Sequence, residues 1–134
     1  MAAVVTKSQS KAKGTLRRLV FDWTSHTDGT VTGTSPTSAI IGKIAACITI
    51  PGAGGVAPTT LYDVTVINDD GFDVLGGKGA DRSATLPEQF VPGVPFGTGA
   101  VAGVGLVAVH GTLELRVANA GSGKQGRVVL LLEN

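Results

Sequence analysis

Residues 113–132, LELRVANAGSGKQGRVVLLL, indicate the fold class of this chain. Leu113, Leu115 and Val117 alternate with polar residues, which is the two-residue period of a strand with one buried face. Residues 118–126 hold three glycines and predict a turn. Residues 128–132 are apolar throughout, as in a central strand or one covered on both faces. We therefore predict a β-hairpin made of these two strands.

Two earlier turn signals predict two more hairpins. A TDG turn at 27–29 lies inside the strand-like stretch 18–34, and an NDDG turn at 68–71 lies inside the stretch 61–75. Glycine following Asp supplies the positive φ that tight turns need. Each stretch is therefore expected to fold back on itself as a pair of antiparallel strands.

Residues 39–50, AIIGKIAACITI, fit two patterns. Isoleucines four residues apart could form one side of a helix. The density of β-branched residues, the internal Gly42 and the stop at Pro51 favour a strand. The isoleucines expected to share one face of that strand are Ile40, Ile44, Ile48 and Ile50.

The whole pattern predicts an all-β domain. Residues 76–103 form a long stretch with glycines and prolines, long enough to cross between sheets. Counting the segments gives about seven or eight strands. We predict an antiparallel β-sandwich or jelly roll over residues 15–134, preceded by an extended, flexible basic N-terminal arm over residues 1–14.

The composition predicts a thin core. Twenty glycines and six aromatic residues among 134 leave mostly small side chains to pack. Neighbouring copies would add buried area, so we expect a homo-oligomer. The single cysteine, Cys47, excludes an internal disulfide and indicates a reducing compartment. Its place in an apolar strand predicts a small buried hydrophobic residue.

Basic residues are concentrated in the first eighteen positions. That segment carries five positive charges and no negative one, whereas the remainder holds six basic and ten acidic residues. The partner-binding residues predicted here are Lys7, Lys11, Lys13, Arg17 and Arg18. Two interpretations stay open: an electrostatic tether to an acidic surface or to phosphates, or a solvated terminus that adds only solubility. Charges without interleaved aromatic residues, on an acidic body, argue against nucleic acid as the partner.

No segment predicts membrane insertion. The apolar stretches fall far short of the roughly 20 residues that span a bilayer. Residues 1–10 contain no apolar stretch long enough for a secretory signal. We therefore expect the protein to fold in a cytoplasm.

No catalytic residue, metal site or cofactor site is predicted. The run 121–124, GSGK, resembles part of a phosphate-binding loop, but Ala118 stands where the first glycine belongs and an apolar strand follows. The acidic turn at 68–73 lacks the alternation of a calcium loop. His26 and His110 are not in zinc-ligand spacing. We therefore expect a protein that is not an enzyme.

Phe90 and Phe96 lie in the irregular stretch 76–103. Aromatic side chains in such a stretch serve as anchors, either against the protein's own core or against a neighbouring subunit. The core is the favoured interpretation, and a partner contact remains open.

Three runs carry a resemblance to a known group: LRRLVFDWTSHTDGTVTGT (16–34), APTTLYDVTVINDDGFDVLGGKGADR (57–82) and LELRVANAGSGKQGRVVLLLEN (113–134). Together they resemble small tailed-bacteriophage virion proteins encoded among head genes. Capsid decoration, or cement, proteins of this kind have compact β folds and bind outside a shell of HK97-like fold, where they lock adjacent capsomers together. The resemblance implies that this chain is a structural virion protein on the capsid exterior. Its partners would be the major capsid protein and copies of itself.

Two other functions remain open. A tail, neck or baseplate component could use the same β domain in few copies at one vertex. A carbohydrate-binding β-sandwich module would need an aromatic platform, for which only Trp23 or Tyr62 could serve. The fold alone does not choose between them.

Overall fold

The computed structural model describes residues 3–9, 16–32, 36–53, 55–96 and 103–133. These residues form strands and no helix, so they contain no helix that could cross a membrane. The prediction of an all-β fold is confirmed. The strands are β1 (Val4–Gln9), β2 (Leu16–Thr24), β3 (Ile40–Pro51), β4 (Asp63–Asn68), β5 (Glu88–Phe90), β6 (Gly93–Phe96), β7 (Gly103–Gly111), β8 (Leu113–Ala118) and β9 (Gln125–Glu133).

The strands form two antiparallel sheets. The large sheet has the order β1-β2-β9-β3-β7-β6, and β5 also pairs with β3. Because β3 is 12 residues long, one of its edges holds both β7, along 40–44, and β5, along 47–49. The small sheet consists of β4 and β8. The apolar run of β9 lies between β2 and β3, which confirms its prediction as a central strand.

The predicted C-terminal hairpin is wrong. β8 pairs with β4 in the small sheet, whereas β9 pairs with β2 and β3 in the large sheet. Residues 119–124 therefore cross from one sheet to the other. Alternation shows that a strand has one buried face, but it carries no information about which strand lies beside it.

The two other predicted hairpins are correct as turns and wrong as strand pairs. Around the first turn, His26 N–H bonds Thr30 O at 2.8 Å, but Val31 then bridges to Val117 of β8. Residues 33–35 lie outside the described residues. At the second turn, Gly71 N–H bonds Asn68 O at 3.0 Å, and the returning chain makes only an isolated bridge to β4 before it turns again.

The N-terminal segment differs from the predicted flexible arm. Residues Val4–Gln9 form β1, an edge strand that pairs with β2 along its whole length. Ala3 and Val5 are partly buried against the core. The predicted arm is therefore a strand over these six residues. Alternate apolar side chains at its start contribute to the core. The charge and composition of the segment did not indicate this contribution. Residues 10–15 lie outside the described residues.

One hydrophobic core joins the two sheets. The Trp23 ring of β2 packs against the Tyr62 ring just before β4, with centroids 5.8 Å apart. Side chains from both sheets belong to the same buried cluster, among them Phe21, Ile44, Leu115, Val117, Leu130 and Leu132. The core contains few aromatic residues, as the composition predicted.

The predicted strand at 39–50 is confirmed, but its face assignment is wrong in the second half. The register of β3 against β9 shifts between Ile44 and Ala46, which leaves Ala45 as a β-bulge. The extra residue exchanges the two faces of the strand. Cys47 and Thr49 therefore follow Ile44 on the buried side, each at most 1% exposed.

Candidate functional site

Among the described residues, the predicted basic side chains do not form one patch. Lys7 is half-buried on β1, and Arg18 is exposed on β2. Arg17 is half-buried and donates a hydrogen bond to the carbonyl of Ile41. Lys11 and Lys13 lie outside the described residues. A role for these side chains in partner binding stays a prediction.

Phe90 packs against the core as its favoured interpretation predicted. The guanidinium of Arg82 lies over the Phe90 ring, 4.8 Å from its centroid, and 3.8 Å from the Glu88 carboxylate. This cation–π contact and ion pair connect β5 to the loop that carries Arg82. Phe96 lies in β6, and the description does not extend to its side chain.

Several acidic residues in the turns accept hydrogen bonds from the backbone. Asp73 accepts bonds from the N–H groups of Val66, Leu75 and Gly77, at 3.0 to 3.1 Å. Asp63 accepts from Asp81 N–H at 3.0 Å. Lone pairs committed to amides are poorly placed for a cation, and no group of three or more metal-binding side chains occurs among the described residues.

Ser25 holds the GSGK segment in place. Its buried hydroxyl donates to Gly121 O at 2.6 Å and accepts from Lys124 N–H at 2.9 Å. A strand follows this segment. The segment therefore lacks the helix N-terminus that a phosphate loop needs, and it acts as a fixed connection between the sheets.

Cys47 is a buried hydrophobic residue, as predicted. It is fully buried, and burial raises the pKa of its thiol to about 12, so the reactive thiolate is disfavoured at neutral pH. Burial likewise raises the pKa of Tyr62 to about 12. Trp23 is 2% exposed and Tyr62 is fully buried. Neither ring can serve as a platform for a sugar.

The described residues line shallow cavities, and two of these have similar volumes. One, about 250 Å³, lies beside Lys7, Ser8 and Gln9 of β1. The other, about 260 Å³, lies beside Asp22, Gln125 and Arg127 at the start of β9. Both have mixed polar and apolar walls, and neither contains a histidine or a cysteine. They offer no set of converging groups for acid, base or nucleophilic chemistry.

The most distinctive surface is a group of exposed apolar side chains on loops. Val56, Leu61 and Leu86 are 60%, 58% and 65% exposed. Val56 O accepts from Gln125 N–H at the start of β9, Leu61 N–H donates to Arg82 O, and Leu86 N–H donates to the Ser83 hydroxyl. These loops adjoin the first residues of β9, β4 and β5, which lie at one end of the molecule. We call these three side chains the apolar loop end.

Leu61 has an unusual backbone conformation. Its φ is +64°, in the left-handed region that side chains other than Gly, Asn and Asp rarely adopt. The side chain is exposed, so packing within the described residues does little to offset that cost. The sequence gives no signal of this site, because the three residues are far apart in the chain and only the fold brings their loops to the same end of the molecule.

Comparisons with family models, with curated proteins and with solved structures find no match to this chain.

Proposed function

We propose that this chain is a structural protein of a tailed-bacteriophage head. It would act as a decoration, or cement, protein that is made in the host cytoplasm, binds the outside of an HK97-like shell and stabilises contacts between capsomers. The observation that carries the proposal is the apolar loop end, where three large side chains are more than half exposed on loops with fixed backbones. Such a surface gains free energy when a partner covers it.

A protein that acts by adhesion needs area and rigidity rather than reacting groups. The described residues fit this requirement, since Asp73 fastens the turns after β4 and the cysteine is buried. Many weakly attached copies on one shell would add their contacts by multivalency.

We also infer that the two sheets are the layers of a β-sandwich of jelly-roll type. The shared core supports this inference, as does the crossing between sheets at residues 119–124. At another crossing, β7 of the large sheet runs into β8 of the small one through Gly111 and Thr112. In a sandwich the loops lie at the two ends. One of these ends would present the apolar loop end to a shell.

The three runs that resemble phage proteins lie against one another in the fold. Ser25 N–H bonds Lys124 O at 2.8 Å, Val31 bridges to Val117, and Thr59 N–H bonds Ala120 O at 2.8 Å. The resemblance therefore covers one structural unit rather than three separate pieces.

The copy number in virus particles tests the proposal. Virions of the source phage are purified, and this chain is quantified by mass spectrometry relative to the major capsid protein. Hundreds of copies per particle are expected of a cement protein. A dozen or fewer would overturn that role and indicate a tail, neck or baseplate component, and absence from particles would overturn any virion role.

A further inference from the structure

β1 forms an edge of the large sheet. It is the first strand in the order of that sheet, and among the described residues it pairs with β2. In an antiparallel strand, alternate residues direct their backbone N–H and C=O groups to opposite sides. Every second residue of Val4–Gln9 therefore presents both groups at the outer side of β1. Such a row of backbone groups is a template on which another strand can pair.

The edge at the opposite end of the large sheet and the edges of the small sheet are less accessible. β6 is four residues long and contains Pro95, which has no N–H to donate. Beside β8, Val31 N–H bonds Val117 O at 2.8 Å. Beside β4, Val64 N–H bonds Gly79 O at 2.8 Å. β1 contains neither a proline nor a shift of register, so these obstacles are absent from it.

A groove lies beside β1 on the core side of the sheet. Gln9 lines it and is paired in register with Leu19, a residue of the core. The groove has a volume of about 250 Å³, its walls include the buried side chains of Leu19 and Ile40, and Gln9 and Ser38 are exposed at its rim. A strand added to β1 would direct every second side chain to this side. The groove can therefore receive an apolar side chain of that strand.

Basic residues are concentrated at this edge. Five of the first eighteen residues are basic and none is acidic. Lys7 lies in β1, and Arg18 is exposed near the start of β2. Lys11 and Lys13 lie between these strands in the sequence. An acidic strand gains free energy from this charge, whereas a second copy of β1 would bring the same positive charges together. The charge therefore favours an acidic strand over a copy of this chain.

We propose that β1 binds an extended acidic segment of a partner protein, which adds to the large sheet as a further strand. Backbone hydrogen bonds to β1 supply affinity, and an apolar side chain in the groove supplies specificity. Glu or Asp at the other positions of the added strand lies near the basic residues. This assignment does not depend on a role in virus particles.

Amide hydrogen exchange in the presence of synthetic peptides tests the proposal. The probes are the acetylated and amidated peptide Glu-Val-Glu-Leu-Glu-Val-Glu, the same peptide with Ala at its centre, and a control with Lys in place of every Glu. The Leu peptide is expected to bind with a dissociation constant below about 1 mM and to slow exchange of the outward amides of Val4–Gln9, as measured by NMR. The Ala peptide should bind about tenfold more weakly, since it leaves the groove unfilled, and the Lys peptide should give no protection. No protection by the acidic peptides, equal protection by the Lys peptide, or protection confined to another strand would overturn the proposal.

Two serine variants test the part played by the groove. Ser38→Trp places a large ring at the exposed rim and should weaken binding of the Leu peptide at least about tenfold, with a smaller effect on the Ala peptide. Ser122→Trp makes the same change at an exposed serine outside the groove and should bind both peptides as the native chain does. Circular dichroism checks that both variants keep the native fold. Equal affinity of the two variants for the Leu peptide would contradict binding in the groove.

Exchange in the chain without peptide distinguishes the other possible occupants of this edge. Fast exchange of the outward amides of β1 at every protein concentration supports the proposal. Exchange that slows as the protein concentration rises would show that a second copy pairs with β1. Slow exchange at every concentration would show that another part of the same chain covers the edge, and either of these two results would overturn the proposal.

Discussion

Gly126 leaves the space that the Trp23 indole occupies. A Cβ atom at this position would lie 2.5 Å from Cζ2 and 2.7 Å from Cε2 of the ring, and Trp23 is fixed in the core. Gly126→Ala should therefore lower the free energy of unfolding by about 1 to 3 kcal/mol, the usual cost of overpacking. Urea denaturation followed by circular dichroism measures the change.

A double-mutant cycle with Trp23→Phe identifies the cause. The smaller ring makes room for the new methyl group, so the two substitutions together should cost less than the sum of their separate costs. Strict additivity would show that the ring is not what excludes a side chain at Gly126.

Asp69 ties the turn after β4 to the bend between β7 and β8. The hydroxyl of Thr112 donates to Asp69, and Thr112 N–H does so at 3.0 Å. These two bonds lower the pKa of Asp69 below its usual 3.8, and the bond from the Thr112 hydroxyl contributes more than the bond from the backbone N–H. The carboxylate form is therefore stabilised by folding, and this contribution is lost as the pH falls from the unfolded value through the folded one.

Thr112→Val should accordingly reduce the acid sensitivity of the fold. The melting temperature of the native chain is measured from neutral pH down into the acid range, where the carboxylate takes up its proton. It should fall more steeply in acid than that of Thr112→Val. Asp70→Asn removes a neighbouring exposed charge for which the structure assigns no carboxylate hydrogen bond, and it should retain the native slope. Equal slopes for the native chain and Thr112→Val would contradict the role of the hydroxyl.

The bulge at Ala45 shows a limit of sequence patterns at the residue scale. Alternation predicted a strand over 39–50 correctly, because β-branched density depends on the residues themselves. It misplaced Ile48, because one extra residue exchanges the faces without altering the composition. Cys47 was predicted as buried on composition grounds, which do not depend on register.

At the scale of elements, Ser25 links the end of β2 to the connection before β9. Its buried hydroxyl makes two hydrogen bonds across this junction. Ser25→Ala leaves the Gly121 carbonyl and the Lys124 amide without these partners, so the free energy of unfolding should fall by about 1 to 3 kcal/mol. Ser122→Ala, at an exposed serine in the same connection, should stay within about 0.5 kcal/mol of the native chain. Comparable losses for both, measured by urea denaturation, would contradict the anchoring role of Ser25.

The strands could be located from the sequence, but their partners could not. β4, β8 and β9 each lie where alternation or an apolar run predicted them. The pairing of β8 with β4 depends on the 119–124 crossing, which has the same glycine-rich composition as a hairpin turn. β1 was not predicted as a strand, since its apolar positions are few and its charge resembles that of a disordered tail.

The contribution of the basic segment to attachment needs a test that spares β1. Deletion through Lys13 would remove that strand as well as the charges, so a loss of binding would have two explanations. Lys11→Gln combined with Lys13→Gln removes charge alone. If the segment tethers the protein to an acidic shell, this variant should be released from heads at lower salt, with an unchanged melting temperature. If the variant and the native chain are released from heads at the same salt concentration, the two lysines contribute only to solubility.

At the scale of the whole molecule, the candidate site is the part that the sequence predicted least. Phe90 was singled out and proved to pack on the core, whereas Val56, Leu61 and Leu86 carry no motif. Exposure and backbone conformation are properties of the assembled fold, in which Leu61 has a positive φ and donates its N–H to Arg82 O. The sequence around a single apolar loop residue therefore does not show whether its side chain will be buried in the core or exposed on the surface.

Substitutions in the apolar loop end should weaken attachment to the shell without lowering the free energy of unfolding. Leu61→Asn places a residue that tolerates positive φ at an exposed position, so the free energy of unfolding should stay equal or rise by up to about 1 kcal/mol. If this surface binds the shell, the double variant Leu61→Asn/Leu86→Ser should bind phage heads from which the native protein has been removed at least about tenfold more weakly. Two apolar contacts are lost in this variant. Phe72→Ser changes a 49% exposed side chain beside the turn at the opposite end of β4 and serves as the control, with native binding. Native affinity in the double variant, or equal loss in the control, would place the contact on another surface.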